Sequence, residues 1–200
     1  IGGDVAQTLD AGPAFAELPR TDMKADFHCV TSWSVRDCRW SGVRFRDFYE
    51  RLVVPKAQPL SGAELVVFRG EDGYCSALPL VDVLKDDVLL ADHLDGARLG
   101  VEHGAPLRLV APAHYGYKNV KHIARIEFWR DDRHYRFPFP YPAFMDHPRA
   151  RVALGERGRW FPGPLLRYLY RLIVPLQIAI FKAATRSYYK RRGDRANDLH

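Results

Sequence analysis

Phe27-His28-Cys29-Val30-Thr31-Ser32-Trp33-Ser34 sets a cysteine among β-branched and aromatic residues, and Trp40-Ser41-Gly42-Val43 follows after a short polar gap. Such a run predicts a buried strand over 27–34. A thiolate in it suits two jobs, a soft metal ligand or a nucleophile. The nucleophile needs a base within hydrogen-bond reach. Neighbours in a strand face opposite sides, so His28 is a poor base for Cys29. No other base stands at a recognisable spacing, and a buried inert thiol is the plain alternative for a cysteine taken alone.

Outward from this stretch, the pattern predicts short strands and few helices. Residues 1–26 read as an extended lead-in with a helical piece near 14–18. The segment 43–52 (VRFRDFYERL) has helical spacing. Strands are expected at 63–69, 74–78, 88–92, 107–111 and 123–128, with turns at 71–74 and 94–97. Pro79 fits the first turn of a short helix through Leu84, and 117–121 reads as a turn or short helix. The class is α+β, mixed and sheet-rich. Three stretches differ in character: a body over 1–135, a proline–aromatic strap and linker over 136–160 containing RFPFPYP, and a basic helical tail over 161–200.

Charge follows the same division. Residues 149–200 hold 12 Lys/Arg against three acids, whereas 1–148 hold 18 against 21. A basic tail on a mildly acidic body implies a surface-binding appendage, with no nucleic-acid partner expected. Arg167, Arg171 and Lys182 interrupt the apolar run 163–184, which weighs against a membrane span. An interfacial or partner-docked helix over 161–192 competes with a helix packed on its own domain. Three cysteines without a CxxC pair make a structural zinc site or a disulfide framework an unlikely design and leave the compartment open. The start, Ile1-Gly2-Gly3-Asp4, shows no signal-type segment and is compatible with a removed leader.

A second cluster bears on Cys29. Glu102-His103-Gly104-Ala105-Pro106-Leu107-Arg108 is followed by Tyr117-Lys118-Asn119-Val120-Lys121. Here His, Arg and two lysines alternate with glycines at expected strand ends. Glycine turns let backbone N–H groups approach an anion, and Arg and Lys add charge and directed hydrogen bonds. A phosphate-bearing cofactor is a natural occupant. Solvated lysines and a hydrogen-bonded turn histidine are the ordinary alternatives.

Together with Gly73-Tyr74-Cys75-Ser76-Ala77-Leu78-Pro79-Leu80 and Val88-Leu89-Leu90-Ala91, these segments resemble the molybdopterin-binding domain of the sulfite oxidase family, in particular its compact bacterial branch. The resemblance runs over about residues 1–130. It implies a sheet-rich fold holding one molybdenum–molybdopterin cofactor, with Cys29 as catalytic residue and the protein thiolate on the metal. His28, Asp72, His103, Arg108, Lys118, Asn119, Val120 and Lys121 are the implied cofactor-binding residues, the last three at the phosphate end.

The implied reaction is oxygen-atom transfer on a small, sulfur-containing substrate, in the manner of a sulfite oxidase or a sulfoxide reductase. With no CxxCH for haem attachment, electrons are expected to pass to a separate haem or flavin carrier. Arg36 and Arg39 are candidates to face the substrate. The alternative is a non-catalytic pterin-fold module that docks on a membrane or partner through its basic tail.

Overall fold

The computed structural model describes residues 1–138 and 143–171. Two sheets pack face to face over an aromatic-rich core. The first has the order β1 (Gly2–Gly3), β9 (Ile123–Trp129), β4 (Leu65–Gly70), β5 (Cys75–Pro79). The second runs β2 (Arg20–His28), β3 (Ser34–Arg44), β6 (Leu89–Leu94), with β7 (Ala97–Arg98) and β8 (Arg108–Val110) both pairing with β6. Short helices α1 (Gly12–Phe15), α2 (Phe45–Phe48) and α3 (Leu80–Val83) join them. The predicted sheet-rich α+β class is the fold found.

Alternation explains the layers. Val66 and Phe68 of β4 point into the core beside Leu78, Leu90, Leu109 and Phe128, all fully buried. Phe45 lies between Phe48 and Phe68, at centroid separations of 5.7 Å to each. Such tilted and edge-on contacts contribute about 1 kcal/mol each beyond area burial.

Two expectations need correction. The stretch 27–34 is not one strand. It ends β2 and begins β3, and Cys29–Trp33 form the connection between them. Cys29 N–H donates to the Trp33 carbonyl (2.9 Å), Ser32 N–H to the Cys29 carbonyl (3.0 Å), and Ser32 has φ 80°. That closed turn outweighs the β-propensity of Val30, Thr31 and Trp33. The helix expected from Val43 starts at Phe45 instead, because Val43 and Arg44 pair with Leu90 and Leu89 in the β3–β6 ladder. Gly42 sits at a register shift in this ladder, where a Cβ would lie 2.1 Å from the Leu90 carbonyl oxygen. Beyond α2 the chain winds on in wider turns over Tyr49–Ala57, around Pro55.

The lead-in also differs in detail: the helix lies at Gly12–Phe15, and β2 starts at Arg20. The turn expected at 94–97 is present, with positive φ at Asp95 (50°) and Gly96 (83°), the pair of values that a two-residue hairpin favours. Of the strap, 136–138 are described. Phe137 sets its ring edge-on to Tyr74 and Tyr117, at 6.4 and 6.0 Å. The predicted tail is described only through 171, its residues 163–171 being helical; the rest of it lies outside the described residues. Among these no helix is long and apolar enough to cross a membrane.

Candidate functional site

Cys29 sits at the tip where β2 turns into β3. It is a free thiol, half-buried, its Sγ 3.0 Å from Thr31 Oγ1. His28 turns instead to Ser34, Nδ1 to Oγ at 2.7 Å, so the adjacent imidazole is engaged elsewhere. Two residues before Cys29, about 7 Å of extended chain, the Phe27 ring packs against Trp33. It also lies against Gly116, where any Cβ would stand 2.2 Å from the ring. Phe27 ties the cysteine turn to the second cluster.

At the other side of Phe27 lies Arg108, the first residue of β8. Its guanidinium carbon is 5.7 Å from the Phe27 ring centroid and 4.8 Å from that of Trp40. Its Nη1 donates to the His103 carbonyl (2.9 Å). Arg108 is 4% exposed, and burial pushes its pKa down to about 10. Its hydrogen bonds among the described residues go to carbonyls, not to a carboxylate. The Trp40 indole N–H beside it is also buried without an acceptor.

Lys121 adds a second cation. Burial first, and then the Arg108 charge, lower its pKa, and its ammonium donates to the Glu102 carbonyl. Gly104 fits between the two: with φ +104°, a Cβ there would come within 2.9 Å of Lys121 Cγ and 3.2 Å of Arg108 Cβ. His122 Nδ1 donates to the Ala105 carbonyl (2.6 Å), bracing the turn. His103 itself is open to solvent, its Nε2 3.7 Å from Glu102.

The remaining predicted residues take other positions. Lys118 is 1% exposed and directs its ammonium to the Ala77 carbonyl (3.0 Å) and to Asp146 (2.7 Å). Asn119 is buried, accepting from Ala111 N–H (2.5 Å) and donating to the carbonyls of His114 and Tyr115. Val120 belongs to the core. These three shape the turn that presents Lys121. Asp72 caps its own turn by accepting from Tyr74 N–H (3.0 Å). Arg36 and Arg39 lie exposed on β3.

Sequence reasoning offered a helix packed on its own domain as one of two readings of the tail, but it did not name the contacts that 143–171 make. Leu166 and Tyr170 from the helix at 163–171 bury against Val30 and Tyr115, directly beside the cysteine turn. Arg157 stacks on Tyr115 at 4.8 Å and donates to the Val30 carbonyl. Asp82, fully buried in α3, accepts from Arg149 (Nε to Oδ2, 2.6 Å), and His114 Nδ1 meets the Arg149 carbonyl. The four-residue spacing of Leu166 and Tyr170 was the one available signal for this packing.

A soft, accessible sulfur, a buried guanidinium without a carboxylate partner among the described residues and the half-buried Lys121 beside it form a donor set suited to a metal carried on an anionic organic ligand. Among the described residues no group of three or more His, Cys, Asp or Glu gathers as a metal cluster, so a metal held by the protein alone is not what these residues build.

Comparison with known proteins agrees. Residues 2–137 match the family described as the oxidoreductase molybdopterin binding domain, and the chain belongs to that family. It is thus a molybdopterin-dependent oxidoreductase with a sulfite oxidase-like fold. One relative is the uncharacterized oxidoreductase YuiH of Bacillus subtilis, 40% identical over 147 residues that cover 72% of this chain and 68% of that one.

Another is the putative protein-methionine-sulfoxide reductase subunit YedZ1 of Azospira oryzae, 35% identical over 59% of this chain and 42% of its own length. The sulfane dehydrogenase SoxCD of Paracoccus pantotrophus shares the fold: TM-score 0.58, 22% identity, 75% of this chain and 42% of that chain. Against the latter two, the chain spans less than half the relative's length.

Proposed function

We propose that the protein transfers an oxygen atom to or from a small sulfur-containing substrate, with Cys29 as the protein ligand to the metal. The observation that carries this reading is the presence of a free, half-buried thiol and a buried guanidinium that has no carboxylate partner among the described residues. Molybdopterin, when bound, supplies two-electron oxygen-atom transfer chemistry. Arg108 and Lys121 would hold its phosphate, His103 and the Gly104 turn would border the pterin, and Cys29 would fix the metal end. The Phe27 and Trp40 rings keep water from the guanidinium, which strengthens its pull on an anion. Asn119 and Lys118 fix the turn that carries Lys121, and His28 and Asp72 brace the flanking turns.

The balance defines the substrates to test. Sulfite and water give sulfate, two protons and two electrons; a sulfoxide, two protons and two electrons give a sulfide and water. Electrons would leave or arrive through a separate haem or flavin carrier. The name of the Azospira relative favours the sulfoxide direction.

Cys29→Ser tests the ligand assignment, because a hard oxygen donor replaces a soft one at nearly constant size. Molybdenum and pterin content, the visible spectrum, and sulfite and methionine-sulfoxide assays are compared with wild type. A changed spectrum with lost turnover is expected. An unchanged spectrum with full activity overturns Cys29 as ligand.

A further inference from the structure

The described large apolar side chains that remain exposed are unevenly spread. Six of the twelve lie within 154–169: Leu154, Trp160, Phe161, Leu165, Tyr168 and Leu169, with exposures from 40% to 67%. On the helix at 163–171, Leu166 and Tyr170 form the inner stripe, packed on Val30 and Tyr115. Leu165, Tyr168 and Leu169 follow the spacing i, i+3, i+4 and make a second apolar stripe that faces away from the body. A helix needing only its own domain would carry polar residues there.

The charge around this stripe is of one sign. Residues 157–171 contain four arginines and no acid. Arg157, Arg167 and Arg171 line a groove of about 640 Å³ together with Tyr115, Leu154 and Tyr168. Arg167 and Arg171 flank the outer stripe, and Arg159 adjoins Trp160. Aromatic rings beside leucines, rimmed by arginines whose stems can lie along apolar surface, match the boundary between headgroups and acyl chains. An apolar protein groove would accept the leucines but offers no counter-charge to the exposed Arg159, Arg167 and Arg171. Anionic headgroups do.

We infer that the face formed by Trp160, Phe161 and the outer stripe of the helix at 163–171 docks on an anionic phospholipid bilayer, lying in its interface rather than crossing it. The inner stripe of the same helix touches the cysteine turn, so docking sets the redox site beside the membrane. This inference stands apart from the substrate assignment, since neither Cys29 nor Arg108 contributes to the face.

Co-sedimentation of the full chain with phosphatidylcholine vesicles, with and without phosphatidylglycerol, tests it, alongside Trp160 fluorescence. Binding to the phosphatidylglycerol vesicles only, weakened by salt, is expected, with a blue shift that Trp160→Phe removes while binding persists. The double variant Leu165→Glu/Tyr168→Glu should lower the partition coefficient about tenfold or more. Both positions are exposed, so circular dichroism and molybdenum content should match wild type. Three results would overturn the inference: equal sedimentation with neutral vesicles, no sedimentation at all, or undiminished binding by the double variant. A wild-type dimer that the double variant converts to monomer would assign the face to protein contact instead.

Discussion

Two buried cations, one at each end of the second cluster, make a controlled comparison. Arg108 and Lys118 are 4% and 1% exposed. Lys118 is neutralised within the chain by Asp146 at 2.7 Å, a residue that follows the strap. Arg108 rests between two aromatic faces and on carbonyls, with no carboxylate hydrogen-bonded to it. A chain that buries a charge with its partner is building structure. One that buries a charge without its partner leaves room for a ligand of opposite sign. The difference separates the end proposed to take the phosphate, Arg108 with Lys121, from the turn that supports it.

Substitution breaks the comparison most sharply at Lys118. Lys118→Met leaves the Asp146 carboxylate buried and unpaired and should cost about 3–5 kcal/mol of stability. That corresponds to a fall in Tm of roughly 10 °C for a chain of this size. Lys118→Met/Asp146→Leu should recover most of it, because both charges go together. Thermal denaturation of the single and double variants reads this directly. If the single variant unfolds at the wild-type temperature, Lys118 and Asp146 are not a structural pair.

Arg108→Met should behave in the opposite way. Among the described residues no carboxylate loses a hydrogen-bonded partner with Arg108, so the cofactor-free protein should keep or slightly raise its Tm. Bound pterin and molybdenum should fall about tenfold or more, in line with losses on removing residues that support a metal site. Fluorescence of released pterin and metal analysis give the occupancy. A variant that loses stability but keeps full occupancy would place Arg108 with Lys118, as structure.

Much of the fold was legible because one short-range signal decided each element. The contiguous apolar run Leu65-Val66-Val67-Phe68 marked β4, and Asp95-Gly96 marked the hairpin. The cysteine turn escaped, since Val30, Thr31 and Trp33 all favour strand and only the backbone of Ser32, at φ 80°, reveals the bend. At the site, Cys29, His103, Arg108 and Lys121 stood out by residue type and glycine spacing. The burial of Lys118 did not, because Asp146 lies 28 residues away and pairing at that distance leaves no local pattern. The packing of 143–171 was hidden for the same reason: its partners, Val30, Asp82 and Tyr115, are set by tertiary contact.

The extension contributes a third ionic cluster, weaker than either buried cation and sensitive to acid. Glu156 accepts from Arg151, Oε1 to Nη2 at 2.6 Å and Oε2 to the backbone N–H at 2.8 Å, with His147 Nδ1 at 3.4 Å. The Arg151 side chain, more than any other neighbour, pulls the Glu156 pKa from 4.5 to about 2. A carboxylate with a depressed folded-state pKa lends stability that is fully present above its unfolded value. That stability is lost as pH falls from about 4.5 through about 2.

Arg151 is a third exposed, and solvent screening keeps the contribution small. Protease cleavage within 143–171 should therefore quicken over this window while the two sheets, which do not depend on the pair, stay folded. Glu156→Gln should cleave at the faster rate already at neutral pH and lose the acid dependence. Were the variant to retain it, the acid-labile contact would lie elsewhere, and Asp82–Arg149, where burial raises the carboxyl pKa but the arginine's hydrogen bond and charge more than offset it, would be the next to test.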